Sequence, residues 1–312
     1  MPGTDPAEAM RVVAGELPGF PYLPELPGRG PGADLIGRTA SLLIDIPVEI
    51  TPRGWRLAER PGRDVARAKS MLSNDLDVME EVLQGYAGPL KIQVCGPWTL
   101  AATLELTRTM DAALRDPGAV ADLTASLAEA AAAHVKDVAR RVPQAQVITQ
   151  IDEPALSAIA NGEVPTASGL SRIPAIDQAT IIERLGQVIA NITGYTVVHC
   201  CATGVRFEII GTAGANAVAF DLSQLRRGDE DAVGELAEAG MGMFVGVGTQ
   251  PTPKETAERV ARLWRRLGMP QHGEQTVITP PCGLADSSPA QAAQTLRHCR
   301  EAAAILPEMG EL

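Results

Sequence analysis

The stretch Thr196-Val197-Val198-His199-Cys200-Cys201 holds the pattern from which we infer the fold. Residues 195–198 are rich in valine, which is typical of a buried β-strand. His199 and Cys201 follow at the end of this strand, and side chains two residues apart on a strand point to the same side. We therefore expect His199 and Cys201 to face one point, and Cys200 to face the opposite side of the sheet.

Two further residues with metal-binding chemistry also end apolar runs. Asp221 follows Ala217-Val218-Ala219-Phe220, and Cys282 follows the run that starts at Val277. One imidazole, one carboxylate and two thiolates make a suitable tetrahedral shell for Zn²⁺. We therefore predict a zinc site made of His199, Cys201, Asp221 and Cys282. A zinc ion of this kind can bind a substrate thiol and remove its proton.

Short apolar runs alternate with amphipathic, alanine-rich stretches along the chain. Seven strands are predicted, at 42–47, 90–95, 146–151, 196–200, 216–220, 242–247 and 276–280. Helices are predicted at 64–84, 118–141, 177–192, 229–239, 253–267 and 288–304. This alternation favours a parallel sheet, and its spacing fits an α/β fold of the (β/α)8 TIM-like barrel type.

The barrel prediction leaves one strand unaccounted for at the N-terminus. We expect that first strand to precede residue 1, and we expect the Pro- and Gly-rich residues 17–33 to form a loop. Residues 1–312 are predicted to form a single barrel domain. In such a barrel the C-terminal strand ends share one face, where active sites lie. Cys95-Gly96-Pro97-Trp98-Thr99 and Asp152-Glu153-Pro154 should therefore meet the predicted zinc ligands there.

The composition excludes several classes of partner. The chain has 27 basic and 38 acidic residues and a net charge of −11, which argues against a nucleic-acid partner. No apolar run is long enough to cross a bilayer, and the N-terminus lacks the features of a signal peptide. Five cysteines in 312 residues do not form a disulfide scaffold. They favour a reducing, cytoplasmic location.

Several motifs, taken in order, resemble the C-terminal catalytic barrel of cobalamin-independent methionine synthase. The motifs are Gly96-Pro97-Trp98-Thr99, QIDEPAL at 150–156, the His199 and Cys201 pair, Asp221, Gly246-Val247-Gly248 and Pro280-Pro281-Cys282-Gly283-Leu284. The resemblance runs from about residue 85 to residue 305. The wider superfamily includes uroporphyrinogen decarboxylase and the methylcobamide:coenzyme M methyltransferases, which are barrels of this type.

The resemblance implies a zinc-dependent S-methyltransferase of methionine biosynthesis. Such an enzyme transfers a methyl group to the thiol of homocysteine and forms methionine. By the same resemblance, His199, Cys201, Asp221 and Cys282 hold the zinc ion. Asp152 then binds the α-ammonium group of the substrate, and Glu153 and Trp98 belong to the substrate-binding site.

The chain departs from the family pattern on the side that binds folate. The long enzymes have a second, N-terminal barrel, a first strand that ends in I-G-S, and a histidine after strand seven. This sequence starts at Met1 where that first strand would end, and it reads Thr249-Gln250-Pro251-Thr252 after strand seven. Either the start of the chain lies further upstream or the barrel lacks a strand. We expect the methyl donor to be methylcobalamin or a methyl-corrinoid protein rather than methyltetrahydrofolate.

Simpler explanations stay open for some of these residues. A His-x-Cys pair is often ordinary core, and Cys200-Cys201 could be a vicinal redox pair, although adjacent strand residues point apart. Asp152-Glu153-Pro154 could begin a helix with its acidic residues on the helix dipole. Trp98 could be simple packing. Two other functions also stay open: an alkyltransferase of the same superfamily acting on another thiol such as coenzyme M, and a non-catalytic zinc-binding barrel.

Overall fold

A computed structural model describes residues 1–309 of the chain. Its N-terminal part holds three helices and a hairpin: α1 (Pro6–Glu16), α2 (Leu35–Leu42), β1 (Val48–Thr51), β2 (Gly54–Leu57) and α3 (Arg63–Val82). The two hairpin strands are antiparallel, with Val48 opposite Leu57 and Thr51 opposite Gly54. Helix α1 begins where the Asp5 carboxylate accepts hydrogen bonds from the backbone of Ala7 and Glu8.

A six-stranded parallel sheet follows, and its strands lie side by side in chain order. They are β3 (Pro89–Cys95), β4 (Gln146–Asp152), β5 (Tyr195–Cys200), β6 (Ala217–Asp221), β7 (Gly242–Gly246) and β8 (Thr276–Thr279). Each of these strands was predicted from the sequence, with ends that differ by at most one residue. Their register places Cys95 beside Asp152, and Asp152 beside His199.

Helices connect these strands and cover the outside of the sheet. They are α4 (Pro97–Thr103), α5 (Pro117–Arg141), α6 (Leu156–Asn161), α7 (Gln178–Asn191), α8 (Phe207–Thr212), α9 (Arg227–Glu238), α10 (Pro253–Arg266) and α11 (Pro289–Ile305). Helices α10 and α11 begin with capping boxes, formed by Thr252 with Glu255 and by Ser288 with Gln291. No helix among residues 1–309 is long and apolar enough to cross a membrane.

The two faces of the sheet carry different side chains. Val198, Val218 and Val245 point outward and are fully buried under the helices. On the inner face, Val197, Ala217, Ala219 and Phe244 form a separate apolar cluster. All six strands contribute residues to one inner cavity, so the sheet is strongly curled. The fold is therefore an α/β partial barrel with six parallel strands, and a complete (β/α)8 barrel is not present in residues 1–309.

The prediction of a strand at 42–47 is wrong. Leu42 ends helix α2, and residues 43–47 have no regular structure. The side chain of Ser126 on α5 accepts a hydrogen bond from the Ile44 N–H and donates one to the Ile44 carbonyl. The Ser126 side chain thus satisfies the hydrogen-bonding groups of the Ile44 backbone, which a neighbouring strand would otherwise satisfy. Pro47 has no N–H to offer a neighbouring strand.

The prediction that 17–33 forms a loop is only partly right. Leu23 N–H donates to the Lys91 carbonyl, and Lys91 N–H donates to the Pro21 carbonyl. Tyr22 is therefore paired in parallel with Lys91, beside β3 at the edge of the sheet. This short pairing extends the curled sheet by one extended segment. It brings Tyr22 and the following Glu25 to the inner cavity.

Candidate functional site

A cavity of about 640 Å³ opens on the inner face of the curled sheet. Of the predicted site residues, Asp152, His199, Cys201 and Cys282 line it. They come from the ends of β4, β5 and β8, which the parallel sheet brings to one edge. A more open depression of about 780 Å³ lies at the opposite ends of the strands. Neither His nor Cys lines that depression, so we place the candidate site in the first cavity.

Asp152 and His199 are directly hydrogen-bonded. Asp152 Oδ1 lies 2.7 Å from His199 Nδ1 and also accepts a hydrogen bond of 2.7 Å from Gln150 Nε2. Both side chains are mostly buried. The bond to Nδ1 fixes the imidazole ring and leaves Nε2 for another partner. A carboxylate on the second ring nitrogen is the usual arrangement around a histidine that binds a metal.

Cys201 and Cys282 interact with each other at the mouth of the cavity. The nearby Cys282 sulfur raises the pKa of Cys201, and the nearby Cys201 thiol lowers the pKa of Cys282 to about 6. The Gly283 N–H and the nearby His199 also lower the pKa of Cys282. Cys201 is partly buried and Cys282 is exposed. The pair therefore offers a thiolate near neutral pH, which is the form that binds metals.

Asp221 is held away from this group. Its Oδ1 accepts a hydrogen bond of 2.8 Å from Ser223 N–H and caps the short 3₁₀ helix Leu222–Gln224. Among residues 1–309 no set of three or more His, Cys, Asp or Glu side chains is arranged to hold a metal ion. The structure thus brings His199, Cys201 and Cys282 to one cavity without closing a shell. Their chemistry, one imidazole and two thiols, still suits a thiophilic cation such as Zn²⁺.

Glu153 and Trp98 lie behind the cavity, in the core. Both Glu153 oxygens accept hydrogen bonds from the start of α4: Oε1 from Trp98 N–H, and Oε2 from Thr99 N–H and the Thr99 hydroxyl. Burial raises the pKa of Glu153 to about 7. The Trp98 indole N–H donates to the Ile181 carbonyl, and the side chain is fully buried. In this structure the two residues shape the Gly96-Pro97-Trp98-Thr99 turn and do not line the cavity.

Of the remaining cysteines and histidines, Cys299 lines the same cavity and the others do not. Cys200 faces the outer side of the sheet, where its sulfur lies 3.9 Å from the Ser157 hydroxyl. Cys95 and Cys299 are buried. The other three histidines, on or next to the outer helices, are His134, His272 and His298.

Several polar residues that line the cavity are not among the predicted site residues, and Glu25, Lys91 and Gln93 are three of them. Glu25 lies in a Pro- and Gly-rich segment without periodic pattern, so nothing in the sequence marked it. Lys91 and Gln93 alternate with Leu90, Ile92 and Val94 on β3. That alternation was a usable signal, because residues at every second position of a strand face the same side of the sheet. Polar residues in such positions of an apolar strand indicate a side that borders a polar cavity.

Two comparisons with known proteins give matches, one to a protein family and one to a solved structure. Residues 1–305 match the family described as cobalamin-independent synthase, catalytic domain. Among solved structures, the chain is similar to a B12-independent methionine synthase from Shewanella sp. W3-18-1 in complex with selenomethionine, with a TM-score of 0.50 and 16% identity. That match covers 75% of this chain and 66% of the other, and at this identity it shows the fold alone. No curated protein matches the chain.

The family match covers nearly the whole sequence and includes every residue of the candidate site. The chain therefore belongs to the cobalamin-independent synthase catalytic-domain family.

Proposed function

We propose that this protein is a zinc-dependent S-methyltransferase that transfers a methyl group to the thiol of homocysteine and forms methionine. The family supports a methionine synthase-like role. The observation that carries the proposal is the hydrogen bond between Asp152 and His199 Nδ1, in the same cavity as Cys201 and Cys282. It joins a fixed imidazole, two thiols and a carboxylate in one site.

His199 Nε2, Cys201 and Cys282 are the residues that would hold Zn²⁺, with Asp221 as the fourth ligand predicted from the sequence. A bound zinc ion supplies the positive charge that keeps a substrate thiol deprotonated at neutral pH. Asp152 orients the His199 ring. The Cys282 thiolate is already favoured in the absence of metal, so metal binding has to displace few protons from this residue.

Asp152 also has a binding role in this proposal. Both of its hydrogen bonds from described residues go to Oδ1, which leaves Oδ2 for the α-ammonium group of an amino acid. Glu25 lines the same cavity and offers a second carboxylate. The thiol of the substrate then lies toward His199 and the two cysteines, and the α-ammonium group of the substrate lies toward Glu25.

The reaction is an in-line displacement at a methyl carbon. The homocysteine sulfur forms the new S–CH₃ bond, and the donor leaves with the electron pair of the bond that breaks. The site contributes mainly orientation and thiolate formation, which together remove a large part of the barrier. We propose methylcobalamin or a methyl-corrinoid protein as the donor, with methyltetrahydrofolate as the alternative.

A methyl-transfer assay tests the proposal. Purified, zinc-loaded protein is incubated with homocysteine and either methylcobalamin or methyltetrahydrofolate in separate tubes, and methionine is measured. Methionine formation that depends on zinc and on Cys282 supports the proposal. If neither donor gives methionine while zinc binds at this site, the protein is a zinc-binding barrel without this activity.

One observation favours a second candidate, an alkyltransferase acting on an anionic thiol such as coenzyme M. Lys91 places a cation in the cavity, and a sulfonate needs one. Glu25 and Asp152 weigh against this candidate, because coenzyme M has no ammonium group to meet them. Coenzyme M as acceptor in the same assay separates the two.

A further inference from the structure

Strand β3 presents two polar side chains to the cavity, Lys91 and Gln93. They lie two residues apart, so they project from the same face of the strand. Their neighbours on β4 are Ile148 and Gln150. Neither residue takes part in the Cys201–Cys282 pair or in the Asp152–His199 bond. The proposed function so far gives them no task.

The side-chain oxygen of Gln93 is a buried hydrogen-bond acceptor that has no donor among the described residues. Its side chain is 8% exposed, and its Nε2 donates a hydrogen bond of 2.9 Å to the Leu23 carbonyl. Its Oε1 is buried and has no hydrogen-bond partner among the described residues. Because only the NH₂ group can donate to a carbonyl, the bond to Leu23 fixes which way the amide points. An unpaired buried acceptor destabilises the folded protein, and a donor from a ligand would remove this cost.

Lys91 is a cation without a paired anion. Its Nζ lies 5.2 Å from the centre of the Tyr22 ring, and no ion pair joins it to any of the described carboxylates. Burial lowers the pKa of Lys91, whereas Asp152 and Glu25 act in the opposite direction. The other basic side chain that lines the cavity, Arg300, donates to the Glu16 carbonyl at the edge of the fold. The α-ammonium of Met1, which also lines the cavity, donates to the Glu25 carbonyl. Of the two long basic side chains in the cavity, Lys91 is thus the one without a hydrogen-bond partner among residues 1–309.

We propose that Lys91 and Gln93 recognise the two charged groups of an α-amino acid thiol: Lys91 binds the α-carboxylate, and Gln93 Oε1 accepts from the α-ammonium. This inference rests on the proposed function, which directs the thiol to His199 and the cysteines. An ammonium has three N–H donors, and Gln93 Oε1, Asp152 Oδ2 and Glu25 supply acceptors for them. The carboxylate needs a cation, and Lys91 supplies it. Strand β3 then selects an amino-acid thiol over simple thiols.

Three thiols that carry their charged groups on the third carbon from the sulfur separate the two contacts. Homocysteine carries both charged groups, 3-aminopropanethiol lacks the carboxylate, and 4-mercaptobutanoate lacks the ammonium. Each is titrated by calorimetry into zinc-loaded wild-type protein and into the variants Lys91→Met and Gln93→Leu. The exposed residues Lys69 and Gln178 provide the matched controls Lys69→Met and Gln178→Leu. Zinc content and circular dichroism establish that each variant is folded and loaded.

We expect Lys91→Met to weaken homocysteine and 4-mercaptobutanoate binding by about tenfold, as for a lost charged contact, and to leave 3-aminopropanethiol unchanged. Gln93→Leu should weaken homocysteine and 3-aminopropanethiol and spare 4-mercaptobutanoate. Lys91→Arg, which keeps the charge, should retain most of the preference for a carboxylate. The two controls should bind all three thiols like the wild type.

Equal losses for all three thiols, or no loss for any, would overturn the assignment of these residues. The outcome for the wild type separates this failure from a failure of the proposed function. If the wild type binds and methylates homocysteine but Lys91→Met behaves as the wild type does, only the present inference is wrong. If the zinc-loaded wild type binds none of the three thiols, both proposals are wrong.

Discussion

The carboxylate of Asp152 lies 2.7 Å from Nδ1 of His199, across two neighbouring strands in register. The family resemblance implies a contact of Asp152 with the substrate ammonium. The structure adds a contact to His199, so in the proposed function the same carboxylate orients a zinc ligand and binds the amino acid. Gln150 Nε2 donates a second hydrogen bond to the same oxygen and helps to hold it in place.

The first prediction follows from this contact. Asp152→Asn should lower zinc affinity by about 10- to 100-fold, because the His199 ring loses the charge that orients it and increases its basicity. Competition with a chromogenic chelator measures this affinity. Asp122→Asn, at an exposed position on α5, is the matched control and should bind zinc like the wild type. Unchanged zinc affinity in Asp152→Asn would separate Asp152 from the metal site.

The second prediction compares two cysteines on different sides of the sheet. Cys282 lies at the cavity mouth, whereas Cys200 is buried on the outer face near Ser157. Purified protein should carry about one zinc per chain, as a single tetrahedral site requires. Cys282→Ser should lose most of this zinc and Cys200→Ser should keep it, as measured by metal analysis. Equal loss in both variants would mean that the predicted ligand set is wrong.

The third prediction concerns pH and Glu153. Burial raises the pKa of Glu153 to about 7 from its ordinary 4.5, so folding favours the protonated acid. This preference for the protonated acid stabilises the folded protein fully at pH values below the ordinary pKa. The stabilisation is lost as the pH rises through the folded-state pKa of Glu153. Relative to Glu153→Gln, the wild type should lose on the order of 3 kcal/mol of unfolding free energy from about pH 4 to about pH 8. Urea unfolding at several pH values in this range measures the free energy of unfolding. If this free energy changes with pH in the same way in both proteins, Glu153 does not have a raised pKa.

The fourth prediction concerns Gly96, which precedes α4. A Cβ at this position would overlap the Glu153 carboxylate, which accepts the first backbone N–H groups of α4. Gly96→Ala should therefore destabilise the protein by about 1–3 kcal/mol, as overpacking does in a filled core. Gly15→Ala on α1, where a Cβ meets nothing within 4 Å, is the control and should be neutral or slightly stabilising. Thermal unfolding compares the two variants, and equal stability would show that the turn can open at little cost.

The sequence predicted the parallel strands well because each is a buried apolar run that ends in polar residues. The run at 42–47 shows the same pattern. There, however, the backbone N–H and carbonyl of Ile44 are hydrogen-bonded to the side chain of Ser126, which lies 82 positions further along the chain. No local pattern reveals such a partner. Pro21–Leu23 was missed for the opposite reason, because a Pro- and Gly-rich segment pairs with β3 through only a few backbone bonds.

The candidate site was predictable where strand periodicity fixed the side-chain direction. His199 and Cys201 face the cavity and Cys200 faces away, as the alternation along β5 requires. Asp221 is different, because a carboxylate after a strand can also cap the next turn, and it does so here with Ser223. The assignment of Asp221 to zinc stays a prediction, as do the single domain at 1–312 and the cytoplasmic location.

The last prediction concerns the methyl donor. A folate amine leaves readily only when it is protonated, and the loop after β7, Gly248-Thr249-Gln250, carries no histidine or acid to deliver that proton. A methyl–cobalt bond needs no proton, since the departing cob(I)alamin is stable as an anion at neutral pH. We expect methionine formation with methylcobalamin to exceed that with methyltetrahydrofolate on the order of 100-fold, the usual worth of a general acid. The assay uses equal donor concentrations and corrinoid-free protein. Gln250→His should raise the rate with methyltetrahydrofolate and leave the methylcobalamin rate unchanged. Efficient turnover of the wild type with methyltetrahydrofolate alone would restore the conventional donor.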